Sequence, residues 1–191
     1  MYSRLVGSEM CIRDSYPVED ILANHSKESQ KILKSITQMA KDENIWALGH
    51  PKDIGGGGMP FMEYVYVNEV IGRSAYANVG LGTVSLQDSI MLREFASDNW
   101  REKYLEPLVK GEIFPSFGMT EPDVASSDAT NISSTIVPDG DNYIINGRKW
   151  WTSNAINPRA RVCIFMGVTN PENPPYTCLL YTSPSPRDES T

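Results

Sequence analysis

The sequence predicts an α+β chain in which helices come first and strands second. Three observations carry this. Apolar residues recur at helical spacing from Val18 to Ala40. A turn cluster, Pro138-Asp139-Gly140-Asp141, separates two strand-like runs, SSTIV and NYIING. Downstream, RVCIFMGV (Arg161–Val168) is a short continuous apolar run of the kind that becomes a buried strand.

In chain order, Val18, Ile21, Leu22, Ile32, Leu33, Ile36, Met39 and Ala40 form the first helical stripe, with polar residues between them. The stretch IWALGHPKDIGGGGMP then breaks the pattern with Pro51, Gly55–Gly58 and Pro60. A second stripe follows at Phe61, Tyr64, Val65, Asn68, Ile71 and Gly72, and Pro60 suits its first turn. Leu86–Phe95 predicts a further helix. Another starts near Ser97 as a candidate N-cap, buries Trp100, Tyr104, Leu105 and Leu108, and ends at Gly111. Beyond Glu112 the composition turns to strands and tight turns.

The bulk numbers narrow the function classes. A chain of 191 residues with 40% hydrophobic residues has the balance of a globular protein with one or two domains. Its 17 basic and 24 acidic residues give a net charge of −7, and the basic residues are scattered, which argues against nucleic acid as a partner. The longest apolar stretch, Val162–Val168, is too short to span a bilayer.

Both ends read as foreign to the rest. LVGSEMCIRDS (Leu5–Ser15) and CLLYTSPSPRD (Cys178–Asp188) resemble translations of one transposase-type library adapter and of its reverse complement. Segments 1–15 and 178–191 are therefore expected to be adapter-like and non-native, leaving Tyr16–Thr177 as natural sequence. Only Cys163 then remains, so no disulfide framework is expected, and the balance of charge stays acidic.

The Gly55–Gly58 run lacks the Lys-Ser/Thr and the preceding strand of a phosphate loop and reads as a plain loop. His25 and His50 have no second ligand at metal spacing, so no metal is expected and both read as ordinary surface or loop histidines. Phe117–Asp128, FGMTEPDVASSD, sets Thr120, Ser126 and Ser127 in a bent turn after a short apolar strand. Such a turn either offers backbone donors to a carbonyl-rich ring or phosphate, or is a capped turn leading to the next strand. Asn146–Asn154, NGRKWWTSN, ends a strand with adjacent tryptophans and two hydroxyls. It forms either an aromatic wall for a flat heterocycle or two tryptophans split between core and interface.

Together, MTEP with its small-residue turn and Ser-Asp, and the longer DGDNYIINGRKWWTSN, resemble the two flavin-contacting motifs of the acyl-CoA dehydrogenases; YLEPLVKGE fits the family's preceding helix. The TEPDVASSD form is most similar to the branch of acyl-CoA dehydrogenase family members 10 and 11, where many relatives read TEPGAGSD, one residue shorter. The resemblance implies a helical domain over 16–113 and the first part of a β-barrel-like middle domain over 114–177, with the family's C-terminal helical bundle missing.

It also implies a fatty-acid β-oxidation flavoprotein, an oxidoreductase that dehydrogenates acyl-CoA thioesters at Cα-Cβ with hydride passing to flavin N5. Phe117, Gly118, Met119, Thr120, Ser126 and Ser127 would line one side of FAD, Trp151, Thr152 and Ser153 the other motif, and Ser127 would also touch the acyl-CoA. The general base is implied to lie in the missing C-terminal part, with Glu121, Asp123 and Asp128 not catalytic. An electron-transferring flavoprotein is the implied partner, a homo-oligomer the implied full-length assembly, and the bacterial cytoplasm or a mitochondrial or peroxisomal matrix the implied location. The chain alone is expected to be inactive and to bind FAD weakly if at all. An acyl-CoA oxidase or other flavin oxidase of the same fold, and a non-catalytic helical interaction module, are the alternative readings.

Overall fold

A computed structural model of the chain describes residues 27–74 and 77–170, and the backbone of the strand 180–184. His25 and the start of the first predicted stripe lie outside the described residues. The chain divides into two compact units between Ile113 and Phe114.

The first unit is helical. Helix α1, Lys27–Asp42, buries Leu33, Ile36 and Ala40 along one face, as its spacing predicts. Helix α2, Phe61–Ile71, follows directly on Pro60, which serves as its N-cap residue. Its orientation differs from the sequence reading. Tyr64 and Ile71 turn inward with Ala77 against Leu48, Met59, Val67, Leu81 and Leu86, whereas Phe61, Met62 and Tyr66 stay exposed. The inward arc is narrow, so Phe61 and Val65 fall outside it.

A short α3, Ala77–Gly80, and a 3-10 turn, Thr83–Ser85, lead into α4, Leu86–Phe95, whose bounds are those read from the sequence. The last helical stretch runs as α5, Asp98–Trp100, a π-helical turn, Arg101–Leu105, and α6, Glu106–Val109. Pro107 has no N–H and its ring crowds the carbonyl of Lys103, so the turn before it widens. Ser97 caps this stretch through its backbone alone: its carbonyl accepts from Arg101 N at 2.9 Å, and its hydroxyl makes no capping bond. Tyr104, Leu105 and Leu108 are buried as expected, while Trp100 stays half-buried, edge-on to Tyr104 at 5.3 Å.

The second unit is built on strands. β1, Phe114–Gly118, pairs in parallel with β4, Ala160–Met166, and β5, Leu180–Pro184, pairs antiparallel on the other side of β4. β4 alternates between buried and half-buried residues, with Val162 and Ile164 fully enclosed. β5 lies within the segment read from the sequence as adapter-like, and it fills an edge of β4 that would otherwise present open backbone groups. β2, Thr135–Asp139, and β3, Asn142–Asn146, form the antiparallel hairpin that the Pro-Asp-Gly-Asp cluster predicts, with Gly140 at φ 59° in its turn. Most of this ribbon is exposed, including Val137, Tyr143, Ile144 and Ile145, whereas Ile136 is buried. The hairpin is tied back by Ile136 N to Val168 O at 2.9 Å and Val168 N to Ser134 O at 2.8 Å.

Candidate functional site

The site lies in the second unit, where the loop after β1 meets the segment after β3. Glu121 opens the loop's buried interior, and its side chain is 2% exposed. It accepts from Ser133 N at 2.9 Å, Ser133 Oγ at 2.5 Å, Ser134 N at 2.9 Å and Lys149 Nζ at 2.6 Å. Burial alone would push this carboxyl upward, but the hydrogen bonds from Lys149, Ser133 and Ser134 outweigh it and hold the group far below the usual carboxylate range. Glu121 is thus favoured as the anion, with both carboxylate oxygens engaged.

The other loop acids are also engaged. Asp128 caps the 3-10 turn Ala129–Asn131, accepting from Thr130 N at 3.0 Å and Thr130 Oγ1 at 2.7 Å, which depresses its pKa. Asp123 pairs with Arg148 at 3.1 Å on the surface, where such a pair contributes little.

Lys149 joins the two stretches. Its ammonium donates to Glu121 Oε1 and, at 3.0 Å, to the Met119 carbonyl, and it sits 5.0 Å from the Phe165 ring centroid. One residue on, Trp150 N donates to the Thr120 carbonyl at 3.0 Å. Both carbonyls of the Met119–Thr120 pair therefore face the Lys149–Trp150 segment. Because a trans peptide holds its C=O and N–H antiparallel, the Thr120 N–H, in the same plane as the Met119 carbonyl, points away from Lys149. The turn that delivers Lys149 depends on Gly147, at φ 154°, where a Cβ would meet the Ser134 side chain and lie 2.9 Å from Ser134 Cα.

The predicted residues separate into inner and outer groups. Gly118 is buried in β1, and Phe117 and Met119 are half-buried. Ser126 is 2% exposed and its Oγ accepts from Glu121 N at 2.6 Å, so its hydroxyl serves the loop's interior. Thr120, Ser127 and Ser153 are exposed and Thr152 is half-buried. Trp151 is 80% exposed and adopts φ 53°, a left-handed conformation unusual for a bulky residue. Its ring lies 5.8 Å from that of Trp150, which is also exposed. Neither tryptophan is a core residue.

Two features escaped the sequence reading. Lys149 lies inside NGRKWWTSN, but its role there depends on Glu121 and Met119, which are remote in sequence. His50, read as a surface or loop histidine, is in a loop but fully buried: Nε2 lies 3.2 Å from Ser85 Oγ, and burial lowers its pKa to about 4. The loop Gly55–Gly58 closes over it, with Gly58 N donating to His50 O at 2.8 Å. The helical unit also holds an open cleft of about 860 Å³ whose walls include Trp46, Leu105 and Val109. Its charged rim is already paired, Arg93 with Asp53 and Lys110 with Glu106. No helix among the described residues is long and apolar enough to cross a membrane.

Comparison with known proteins agrees with this layout. Residues 17–112 match the family model for the acyl-CoA dehydrogenase N-terminal domain, and residues 116–187 that for the acyl-CoA dehydrogenase middle domain. Mouse acyl-CoA dehydrogenase family member 10 is 33% identical over 186 residues, spanning 91% of this chain and 17% of its own length. A solved Mycobacterium abscessus structure named for the same family superposes with a TM-score of 0.76 at 33% identity, covering 95% of this chain and 50% of that one. PigA, solved with FAD and proline, superposes at a TM-score of 0.55 and 25% identity over 94% of this chain and 48% of its own. The chain thus spans half or less of the length of these relatives. With both its helical and its strand unit matched in order, the chain belongs to the acyl-CoA dehydrogenase family.

Proposed function

We propose that the chain is part of an FAD-dependent acyl-CoA dehydrogenase of lipid β-oxidation, and that its second unit holds one side of the flavin. What supports the reading most is the Thr120 O to Trp150 N hydrogen bond, because it sets the two candidate stretches side by side. The residues present fit a flat, carbonyl-bearing ring. Thr120 is exposed and its N–H points away from Lys149, and Trp151 is an exposed aromatic residue held in a strained conformation. An exposed tryptophan in left-handed backbone persists only where the surroundings over-determine it.

When bound, the flavin supplies the redox chemistry, accepting the hydride that leaves the acyl β-carbon. The chain's own residues bind and orient. Phe117, Gly118, Met119, Thr120, Ser126 and Ser127 would hold one side of the flavin, Trp151, Thr152 and Ser153 would supply the second motif, and Ser127 would also meet the acyl-CoA. Removal of the α-proton needs a base with a free lone pair, which Glu121, with four hydrogen bonds on its two oxygens, does not offer. By the family resemblance, Asp123 and Asp128 are not assigned the base either, and an electron-transferring flavoprotein would take the electrons onward.

Flavin fluorescence tests this reading, since stacking on tryptophan quenches it. Titrating the chain into FAD is expected to quench the emission with low affinity, and Trp151→Ala to weaken that binding several-fold, on the order of the 1–3 kcal/mol typical of aromatic stacking. Equal quenching by the wild-type chain and W151A would contradict it.

A further inference from the structure

The described geometry contains a closed circuit that the flavin reading does not itself require. Glu121 holds Ser133 and Ser134 through their N–H groups; Ser134 packs under Gly147; Gly147 turns the chain so that Lys149 returns to Glu121 at 2.6 Å. Lys149 reaches its partners alongside β1, its Cγ at ordinary contact distance, 3.4 Å, from where a Cβ on Gly118 would lie. The Lys149 side chain is 6% exposed, so its charge is committed to Glu121 and to the Met119 carbonyl. Neither residue is placed to touch a ligand.

We propose that Lys149 and Glu121 are positioning residues that fix the Met119–Thr120 peptide, so that the Thr120 N–H is presented outward to the flavin. The inference rests on the flavin reading for its ligand and on the circuit for its mechanism. A compact ammonium between two oxygen acceptors sets the direction of the Met119 carbonyl, and peptide planarity passes that direction to the Thr120 N–H. The Trp150 N to Thr120 O bond then locks the next peptide. Cofactor binding thereby avoids the cost of ordering this donor at the moment of contact.

Amide hydrogen exchange and FAD-induced amide shifts, measured on the full 191-residue chain, test it. Lys149→Met is expected to speed exchange at the Trp150 amide by about ten-fold or more while the Val162 and Ile164 amides of β4 keep their protection. It is also expected to abolish the Thr120 amide shift caused by FAD. If K149M does not fold, the double variant Glu121→Met with Lys149→Met removes both buried charges and restores folding. A purely structural pair predicts that the double variant recovers the Thr120 response; positioning predicts that folding returns and the response does not. A wild-type Thr120 shift retained in the double variant overturns the proposal, as does unchanged Trp150 exchange in K149M. Fast Trp150 exchange in the variants, together with no FAD shift even in the wild type, supports the fixing of the peptide and instead overturns the flavin reading.

Discussion

Lys149 Nζ lies 2.6 Å from Glu121 Oε1 and 3.0 Å from the Met119 carbonyl, so one buried ammonium ties together two stretches far apart in sequence. In a buried pair the attraction offsets the desolvation of two charges only while both partners are present. Deleting one partner strands the other. Glu121→Met or Lys149→Met is therefore expected to destabilise the strand unit by about 3–5 kcal/mol, and the E121M/K149M double variant by less than the sum of the single changes, as read from urea unfolding.

The same pair makes the strand unit acid-sensitive in a defined direction. The folded-state pKa of Glu121 is depressed, so between the folded and unfolded values the unfolded chain binds the proton and the folded one does not. Its stabilisation is fully present above the ordinary carboxylate range and is lost as pH falls below it. Denaturant midpoints of the wild type should therefore drop through that range more steeply than those of the E121M/K149M variant.

His50 and Asp88 act on the helical unit with opposite signs. His50 titrates at about 4 instead of 6.5 because it is buried, so the unfolded chain takes its proton first and stability falls as pH drops from 6.5 to 4. The full effect is up to about 3 kcal/mol. Asp88, raised by burial to about 6, binds its proton in the folded state first, and its contribution is lost as pH rises from 3.8 through 6. Asp88→Asn should therefore steepen the loss of stability on acidification from pH 6 to 4, and His50→Gln should flatten it, both read from urea midpoints across that range.

Trp151 separates stability from binding. At φ 53° any residue with a Cβ is strained, and glycine is not. Trp151→Gly is expected to be more stable than Trp151→Ala by about 1 kcal/mol, while both lose flavin affinity together. Equal melting temperatures for the two variants would show that the loop relaxes out of the left-handed region.

The architecture was legible where the signal is local. The Pro138–Asp141 turn announced its hairpin, the Leu86–Phe95 helix was bounded correctly, and RVCIFMGV became the central β4. Pattern alone could not choose the inward arc of α2, where Phe61 and Val65 fit the stripe as well as Tyr64 and Ile71 do. Burial of His50 follows from a glycine loop folding back over it, which spacing does not encode. In the candidate site, the aromatic and hydroxyl residues were visible as motifs, and the structure leaves Thr120, Ser127 and Trp151 exposed. The inward turn of Ser126 and the Glu121–Lys149 tie were not visible, because both depend on which distant backbone groups the loop brings together.

The most direct test is an amide shift map of the labelled chain titrated with FAD to millimolar concentration, which registers even weak binding. The account predicts shifts at Thr120, Ser127 and Trp151–Ser153, with the helical cleft around Trp46 unchanged. No shifts in the strand unit, or shifts confined to that cleft, would contradict it.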